Sequence, residues 1–464
     1  MPKWDSPIYR SLETYLLTCL SRPKVSGSST VVSISLVLCS CITSTTLGYD
    51  ASMMNGLNML PSYTSYFHLN TATMSLATSS LWIGGALAGL SYGQVTDAIG
   101  RRNSLFWAAV MTLISVAIQS GAENTATFVI GRVLVGYGTS ASTLTGPTYL
   151  AETLPYHWRA WGVGLLNDCY YVGGFIAAGI TYKTATFDST WAWRIPSAVQ
   201  GIFSVLCIVI LPFIPESPRW LANVGRREEA LTVIAQTYTN GDETAAVVLA
   251  QYQQIIDTIH YEREIGETLS LGQLFKSPVA RKRIALALSV AMFSTISGNV
   301  IASYYLGTML DNAGIVDVTD QLQINIALNV FCLCCALTGT YFSDLLGRRT
   351  TGIISTSLLT VFILIVGALT KEVLNYPIRA TGMGIFTFVL NVASLLCVFS
   401  FPFALESFGY KTYLVNGAWD VLEIFFIWSY WVETSGKTLE EIDAVMDGMN
   451  HGEAPNLQDL EREN

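Results

Sequence analysis

The chain has 464 residues, of which 51% are apolar and only 13% charged, whereas a soluble domain carries roughly a quarter charged residues. That balance excludes a single water-soluble core. The formal charge of −9 is placed so unevenly that it points to no nucleic-acid or acidic partner.

Residues 1–30 are polar and carry Lys3, Arg10, Arg22 and Lys24, which predicts a cytoplasmic N-terminal tail by the positive-inside rule. No charged leader with a short apolar run and a small-residue cleavage site precedes the first apolar block, so that block is expected to stay in the mature protein. Apolar blocks then run at 31–50, 72–93, 104–121, 126–149, 160–182 and 195–214. Each is about the 20 residues that cross a hydrocarbon layer of about 30 Å. Residues 31–215 are therefore read as a bundle of six spans.

A polar stretch, 216–283, follows, with Arg219, Arg226, Arg227, Lys276, Arg281, Lys282 and Arg283. The apolar spacing around 227–260 predicts short amphipathic helices in a cytoplasmic linker. Five further blocks lie at 284–310, 322–343, 351–370, 381–403 and 410–431, giving a second bundle over 284–435. An acidic, cytoplasmic-type tail covers 436–464. The expected fold is an all-α membrane protein with eleven evident spans.

Two patterns occur once in each half. GQVTDAIGRR, with Asp97, Arg101 and Arg102, is matched by GTYFSDLLGRR, with Asp344, Arg348 and Arg349. ETLPYHWRAWG, with Glu152 and Arg159, is matched by EVLNYPIRATG, with Glu372 and Arg379, at identical spacing. Duplicated halves of six spans, with a substrate site at their interface, explain this. The spacing between the patterns differs, however: Asp97 and Glu152 are 55 positions apart, Asp344 and Glu372 only 28. One span and a turn are missing between 370 and 373. With spans alternating, Arg379 then emerges on the wrong face, so the last two spans are inverted or one segment does not cross. A mis-spliced reading of the gene or a truncated isoform would each produce such a chain.

These motifs, with YLAETLP after span four, PESPRWL after span six and LGYDASMMNG at the end of span one, resemble the fungal sugar porters of the major facilitator superfamily. The likeness is to their lactose permease-like and hexose transporter-like members and covers nearly the whole chain, the tenth span excepted. It implies two six-helix bundles, the second reduced to five evident spans, and transport of a mono- or disaccharide by alternating access with a proton as partner. A sugar facilitator, a sensor on the same fold and a transport-inactive truncated product are the alternatives. The short tail counts against the sensor.

The resemblance also assigns residues. Asp97, Arg101, Arg102, Glu152, Arg159, Glu216 and Arg219, with Asp344, Arg348, Arg349, Glu372 and Arg379 opposite, correspond to a cytoplasmic gate of ion pairs. Positive-inside signalling is the other reading of any single Arg. Asp50 and Arg132 match a proton-coupling pair, against the alternative that Asp50 only meets interfacial water. Amides and aromatics suit hydroxyl-rich rings, which singles out Asn167 and Tyr171 in span five and Thr295, Ser297, Asn299 and Tyr304 in span seven. Asn325 in span eight and Asn391 in span eleven complete the set, and interhelical packing competes for each amide. In STISGN, Ser294 and Thr295 stand where the family carries a glutamine before Ser-Gly, a shorter reach toward substrate. No nucleophile and base pairing is present, and His68, His157, His260 and His451 are scattered. Neither an enzyme nor a metal or cofactor site is expected. The cysteines lie mostly inside apolar blocks, as at Cys39, Cys41, Cys207, Cys332, Cys334 and Cys335, and read as packing residues. The chain is expected to be a monomer in the plasma membrane.

Overall fold

Helices that mostly outrun the apolar blocks organise the computed structural model. It describes residues 27–264, 288, 304, 306–307, 310–311, 315–346, 391–392 and 394; within them the side chains at 156, 157, 160, 261–264 and 342–346 are not described. In chain order the helices are α1 (Ser29–Met59), α2 (Pro61–Tyr66), α3 (Thr71–Ile99), α4 (Arg101–Ser120), α5 (Thr125–Thr153), α6 (Tyr156–Thr184), α7 (Trp191–Ile210), α8 (Pro218–Val224), α9 (Arg227–Tyr238), α10 (Ala246–Glu264) and α11 (Val318–Leu346). Among the described residues no strand occurs.

Among the described residues five segments are long and apolar enough to cross a bilayer: Ser29–Met59, Arg101–Ser120, Trp161–Thr184, Trp191–Phe213 and Val318–Tyr341. α3 and α5, at 29 residues each, are long enough to span but are diluted by Ser, Thr and Gly. Their packing explains that composition. A Cβ on Gly84 of α3 would overlap the Val133 carbonyl of α5, and a Cβ on Gly136 of α5 would overlap the Leu81 carbonyl of α3. The same reciprocal fit joins α1 to α6, with Gly48 on Tyr170 and Gly173 on Thr45. In lipid, where apolar side chains gain little by leaving the solvent, such backbone approach is what holds helices together.

α1 packs chiefly on α6, and also on α7 and α5, while α4 packs on α5 and α7. α11 lies against α6 and α1. Helix starts at one end are capped: Asn70 and Thr73 form a reciprocal box at α3 (2.8 and 2.9 Å), and Asn124 accepts from the Thr127 N–H (2.8 Å) at α5. Asp317 accepts from the N–H groups of Thr319 (2.8 Å) and Asp320 (3.1 Å) at α11. These bonds satisfy amides that the first helical turn leaves without partners. The same end holds an aromatic cluster of Tyr63, Tyr66, Phe67, Phe128 and Trp193, with Phe67 and Trp193 centroids 5.1 Å apart. Arg194 lies 4.8 Å from the Trp193 ring and donates to the carbonyls of Ser120 and Ala122, closing the end of α4.

Short helices fill the described part of the polar stretch after α7. Ser217 caps α8 by accepting from the Trp220 N–H (3.2 Å), Pro218 occupies its first turn, and Gly225 at φ +95° ends it. α8, α9 and α10 share a small core of Trp220, Leu221, Ala230, Ile234, Val248 and Ile255. Asn240 accepts from the Ser29 N–H (2.7 Å) and pins this unit to the start of α1. The blocks 351–370 and 410–431, nearly all of 284–310 and 381–403, and the gap between 370 and 373 lie outside the described residues.

Candidate functional site: a buried ion pair between two polar clusters

Asp50 does not end its helix. α1 continues nine residues beyond it to Met59, and Asp50 is 0% exposed. Arg132, seven residues into α5, is also 0% exposed and places Nη1 2.5 Å from Asp50 Oδ1. Gln200 of α7 donates to the same oxygen at 2.9 Å. Three helices thus meet at one carboxylate oxygen. Among the described residues, Asp50 Oδ2 and Arg132 Nε and Nη2 have no partner. The interfacial-water reading of Asp50 is not what this geometry shows. A charge in such a place is tolerated when paired and becomes costly when its partner leaves.

Toward the aromatic end, amides line the contact between α1, α3 and α11. Asn55 donates to Asn325 (3.2 Å), Asn329 donates to Ser52 (3.3 Å), and Asn58 donates to Thr78 (3.2 Å) and to the carbonyl of Tyr304 (3.3 Å). Tyr304 is buried and meets Trp82 edge-on at 6.1 Å. Asn391 is buried against the bare face of Gly85 in α3. Of the sequence candidates, Asn325, Tyr304 and Asn391 therefore face the first six helices. Asn167 is half-buried and donates to the Val163 carbonyl of its own helix (3.2 Å). Tyr171, also half-buried, stacks edge-on with Tyr170 at 5.4 Å. Thr295, Ser297 and Asn299 lie outside the described residues. Asn55, Ser52 and Gln200 are not singled out from sequence: Ser52 and Asn55 lie beyond the first apolar block at 31–50, and Gln200 is a lone amide in the block at 195–214.

The third cluster closes the opposite end. Arg101 holds Glu152 in a fork, with Nε 2.9 Å from Oε2 and Nη2 3.0 Å from Oε1, and reaches Asp97 at 3.1 Å. Ser217 donates to Glu152 Oε2 at 2.6 Å. Glu216 accepts from the backbone N–H groups of Arg101 (2.8 Å), Arg102 (3.1 Å) and Ser217 (2.9 Å). The first turn of α4 thereby receives an anion where its amides and dipole favour one. Burial pushes the Glu216 carboxyl above its ordinary range, and the N–H groups of Ser217 and Arg102, with Arg101, pull it back. Arg102 donates to the Leu211 carbonyl (2.8 Å), Trp220 to the Asp97 carbonyl (2.8 Å), and Tyr149 to the Pro215 carbonyl.

Gly100 makes this turn possible. Its φ of +89° and ψ of 166° fall in a region open essentially to glycine alone, and an added Cβ would sit 2.5 Å from Glu216 Oε2. Gly100→Ala is expected to cost at least about 1–3 kcal/mol, read as a lower melting temperature in detergent. An unchanged melt would show that the turn relaxes freely.

Of the twelve gate candidates, Asp97, Arg101, Arg102, Glu152 and Glu216 are drawn into this cluster. Arg219 is buried on α8. Arg159 stands apart, donating to the Leu154 carbonyl at 3.4 Å. Asp344 falls in the last turn of α11 with its side chain undescribed, and Arg348, Arg349, Glu372 and Arg379 lie outside the described residues. Among the described residues no group of His, Cys, Asp and Glu is arranged to hold a metal ion.

Comparison with known proteins agrees with this architecture. The MFS-type transporter criB of Aspergillus cristatus is 27% identical over 419 residues, covering 86% of this chain and 90% of that protein. The major myo-inositol transporter IolT of Bacillus subtilis is 26% identical over 459 residues, covering 90% and 95%. The proton:xylose symporter XylE of E. coli, bound to 6-bromo-6-deoxy-D-glucose, superposes with a TM-score of 0.77 at 22% identity, covering 90% of this chain and all of XylE. The inward-open form of XylE superposes less well, at 0.64. These are major facilitator folds, and this chain is a multi-pass helical membrane protein with the same fold. The profile described as Sugar (and other) transporter matches it in two overlapping stretches, residues 36–377 and 366–446. With nearly all of its spans inside that match, the chain belongs to the sugar (and other) transporter family.

Proposed function

We propose that the chain carries a sugar or related polyol across the membrane, coupled to a proton, by rocking of two bundles around a polar site. The bundles are residues 31–215 and 284–435, with 216–283 between them on the cytoplasmic side. The carrying observation is the pairing of Asp50 with Arg132 and Gln200, buried where three helices of the first bundle meet. Protonating Asp50 removes the charge that holds Arg132. The arrangement of α1, α5 and α7 that is favoured with the proton bound then differs from the one favoured without it, and that difference is what coupling requires.

The amides Asn55, Asn325, Asn329 and Asn391, with Tyr304, supply the paired donors and acceptors and the aromatic face that a hydroxyl-rich ring needs. Asn167, Tyr171, Thr295, Ser297 and Asn299 are assigned to the same site by resemblance. The cluster at Arg101, Glu152 and Glu216 is read as the inner gate, intact in a structure that superposes better on ligand-bound than on inward-open XylE. A monomer in the plasma membrane with its N-terminus in the cytoplasm completes the reading. Uptake of radiolabelled hexoses, pentoses and myo-inositol by a transporter-null host tests it. One of these is expected to accumulate against its gradient, with accumulation collapsing on addition of an uncoupler. Equilibration that ignores the uncoupler would leave a facilitator.

The spacing of the repeats favours a second reading of the 464-residue chain itself: a transport-inactive product that lacks its tenth span. That the family match comes as two stretches overlapping at 366–377, around the point where the repeat spacing is short, supports this reading. Sequencing the cellular message across the codons for Thr370 to Val373 decides this. An inserted stretch of about 20 apolar codons means that the uptake assay belongs to the restored chain. An uninterrupted message means that the shortened chain is what the cell makes.

A further inference from the structure

α6 and α11 run antiparallel, and their contacts fix the register. Gln323 donates to Tyr182, Asn329 lies on the bare face of Gly174, and Thr340 sits against Gly164 and Asp168. Since α6 precedes the linker and α11 follows it, this seam joins the two halves of the chain. Asp168 is a carboxyl on that seam. It lies seven residues beyond the start of the membrane-length segment Trp161–Thr184, about 10 Å along the helix and so inside a hydrocarbon layer of about 30 Å.

Asp168 is 3% exposed. Oδ1 accepts from the Thr340 hydroxyl at 3.1 Å, and Oδ2 is buried with no partner among the described residues. The groups around it are Thr340 of α11, Cys41 of α1, and Cys169 and Tyr171 of its own helix, with Cys332 and Cys335 of α11 beyond Tyr171. No Lys, Arg or His among the described residues of α1, α5, α7 or α11 pairs with it. Asp50 has a guanidinium; among the described residues Asp168 has a hydroxyl. A bare carboxylate at that depth lacks both water and a counter-charge, whereas a carboxylic acid needs neither.

We propose that Asp168 is a second proton-exchanging carboxyl, separate from the Asp50 and Arg132 pair and timed by contact between the halves. With the seam closed, Oδ2 carries a proton while Oδ1 accepts from Thr340. When the halves part and water enters, the O–H bond breaks, the proton passes to water and its electron pair stays on the carboxylate. Closing the seam reverses the step. The transport arm of the test rests on the proton-coupled reading above, and the labelling arm does not.

For labelling, the full chain in liposomes is treated with dicyclohexylcarbodiimide, which reacts with protonated carboxyls sheltered from water, and the adducts are located by peptide mass spectrometry. An Asp168 adduct is expected, its yield falling several-fold between about pH 5 and about pH 9, with Asp50 labelled far less. Absence of the Asp168 adduct across that range overturns the proposal, as does a yield indifferent to pH. Thr340→Val is expected to keep the adduct and move the pH at which it fades; an unmoved profile removes Thr340 from the device and overturns the seam timing. In counterflow, which needs no proton gradient, Asp168→Asn is expected to exchange sugar with a flattened pH profile, and a profile like that of the parent chain overturns the proposal. Should that variant fail to fold, the adduct on the parent chain and on Thr340→Val still decides. If the parent chain shows no proton-dependent uptake yet labels at Asp168, proton coupling of transport falls and exchange at Asp168 stands.

Discussion

Asp50→Asn is expected to abolish uphill accumulation and to destabilise the protein by about 3–5 kcal/mol, the range found when one member of a buried ion pair is removed. The cause is the residue left behind. Arg132 is fully buried and its charge is met by Asp50, with Nε and Nη2 already lacking partners among the described residues. A neutral amide still accepts from Gln200 and Arg132 but cancels no charge. Pairing the change with Arg132→Gln should return much of the stability, since no charge then stays buried, while accumulation stays lost. Melting temperatures and uptake of the two single variants and the double variant measure both effects. If the double variant melts no higher than Asp50→Asn, the destabilisation does not come from a stranded guanidinium. If Asp50→Asn still accumulates sugar in an uncoupler-sensitive way, Asp50 is not the coupling carboxyl.

Removal of Arg101 is the second large effect. Its guanidinium holds both oxygens of Glu152 and one of Asp97, and Glu152 in turn accepts from Ser217 at the start of α8. One side chain therefore ties the α3–α4 turn to the end of α5 and to the linker. Arg101→Ala should cost about 3–5 kcal/mol, because the Glu152 carboxylate stays buried with a hydroxyl as its remaining partner. Arg101→Lys should recover only part of this, since a single ammonium cannot reproduce a two-point fork. The freed linker is expected to be cut faster by trypsin after Arg226 and Arg227 and to exchange amide hydrogens faster over 216–224. Unchanged cleavage in Arg101→Ala would mean that the linker is held by its own core and by Trp220, not by the ion cluster.

How much of this could be read from residues alone differs between the sites. The charged residues of the inner cluster stand in short, dense motifs at helix ends, where charge is rare enough to be conspicuous, so Asp97, Arg101, Arg102, Glu152 and Glu216 are legible in the chain. Asp50 and Arg132 are legible as charges in apolar surroundings. That they pair is expected only from the family resemblance and not from the residues themselves, because they are 82 positions apart and the apolar block stops at Asp50. The helix continues because residues 51–59 pack inward: Met53, Met54 and Leu57 are fully buried, and Asn55 finds Asn325. Tertiary contacts supply what hydropathy does not show. Asn167 and Asp168 are neighbours in sequence, yet only Asp168 bonds across to Thr340, since a helix turns about 100° per residue and a one-residue change selects another face.

What the sequence determined by itself is the material and the plan: apolar blocks of membrane length, two copies of each loop motif, and a shorter spacing between the second copies than between the first. Those features depend on composition and counting along the chain, which no folding is needed to reveal. Tertiary structure decided which polar groups share a site. It brought Gln200 to Asp50, set Asn55 against Asn325, and put the Asp168 carboxyl of α6 against a hydroxyl of α11. Inside a bilayer the helices come close only where glycine or small residues allow backbone contact, as at Gly48 with Tyr170 and at Gly84 with Val133. Those contacts fix the rotation of each helix, and the rotation chooses the partners.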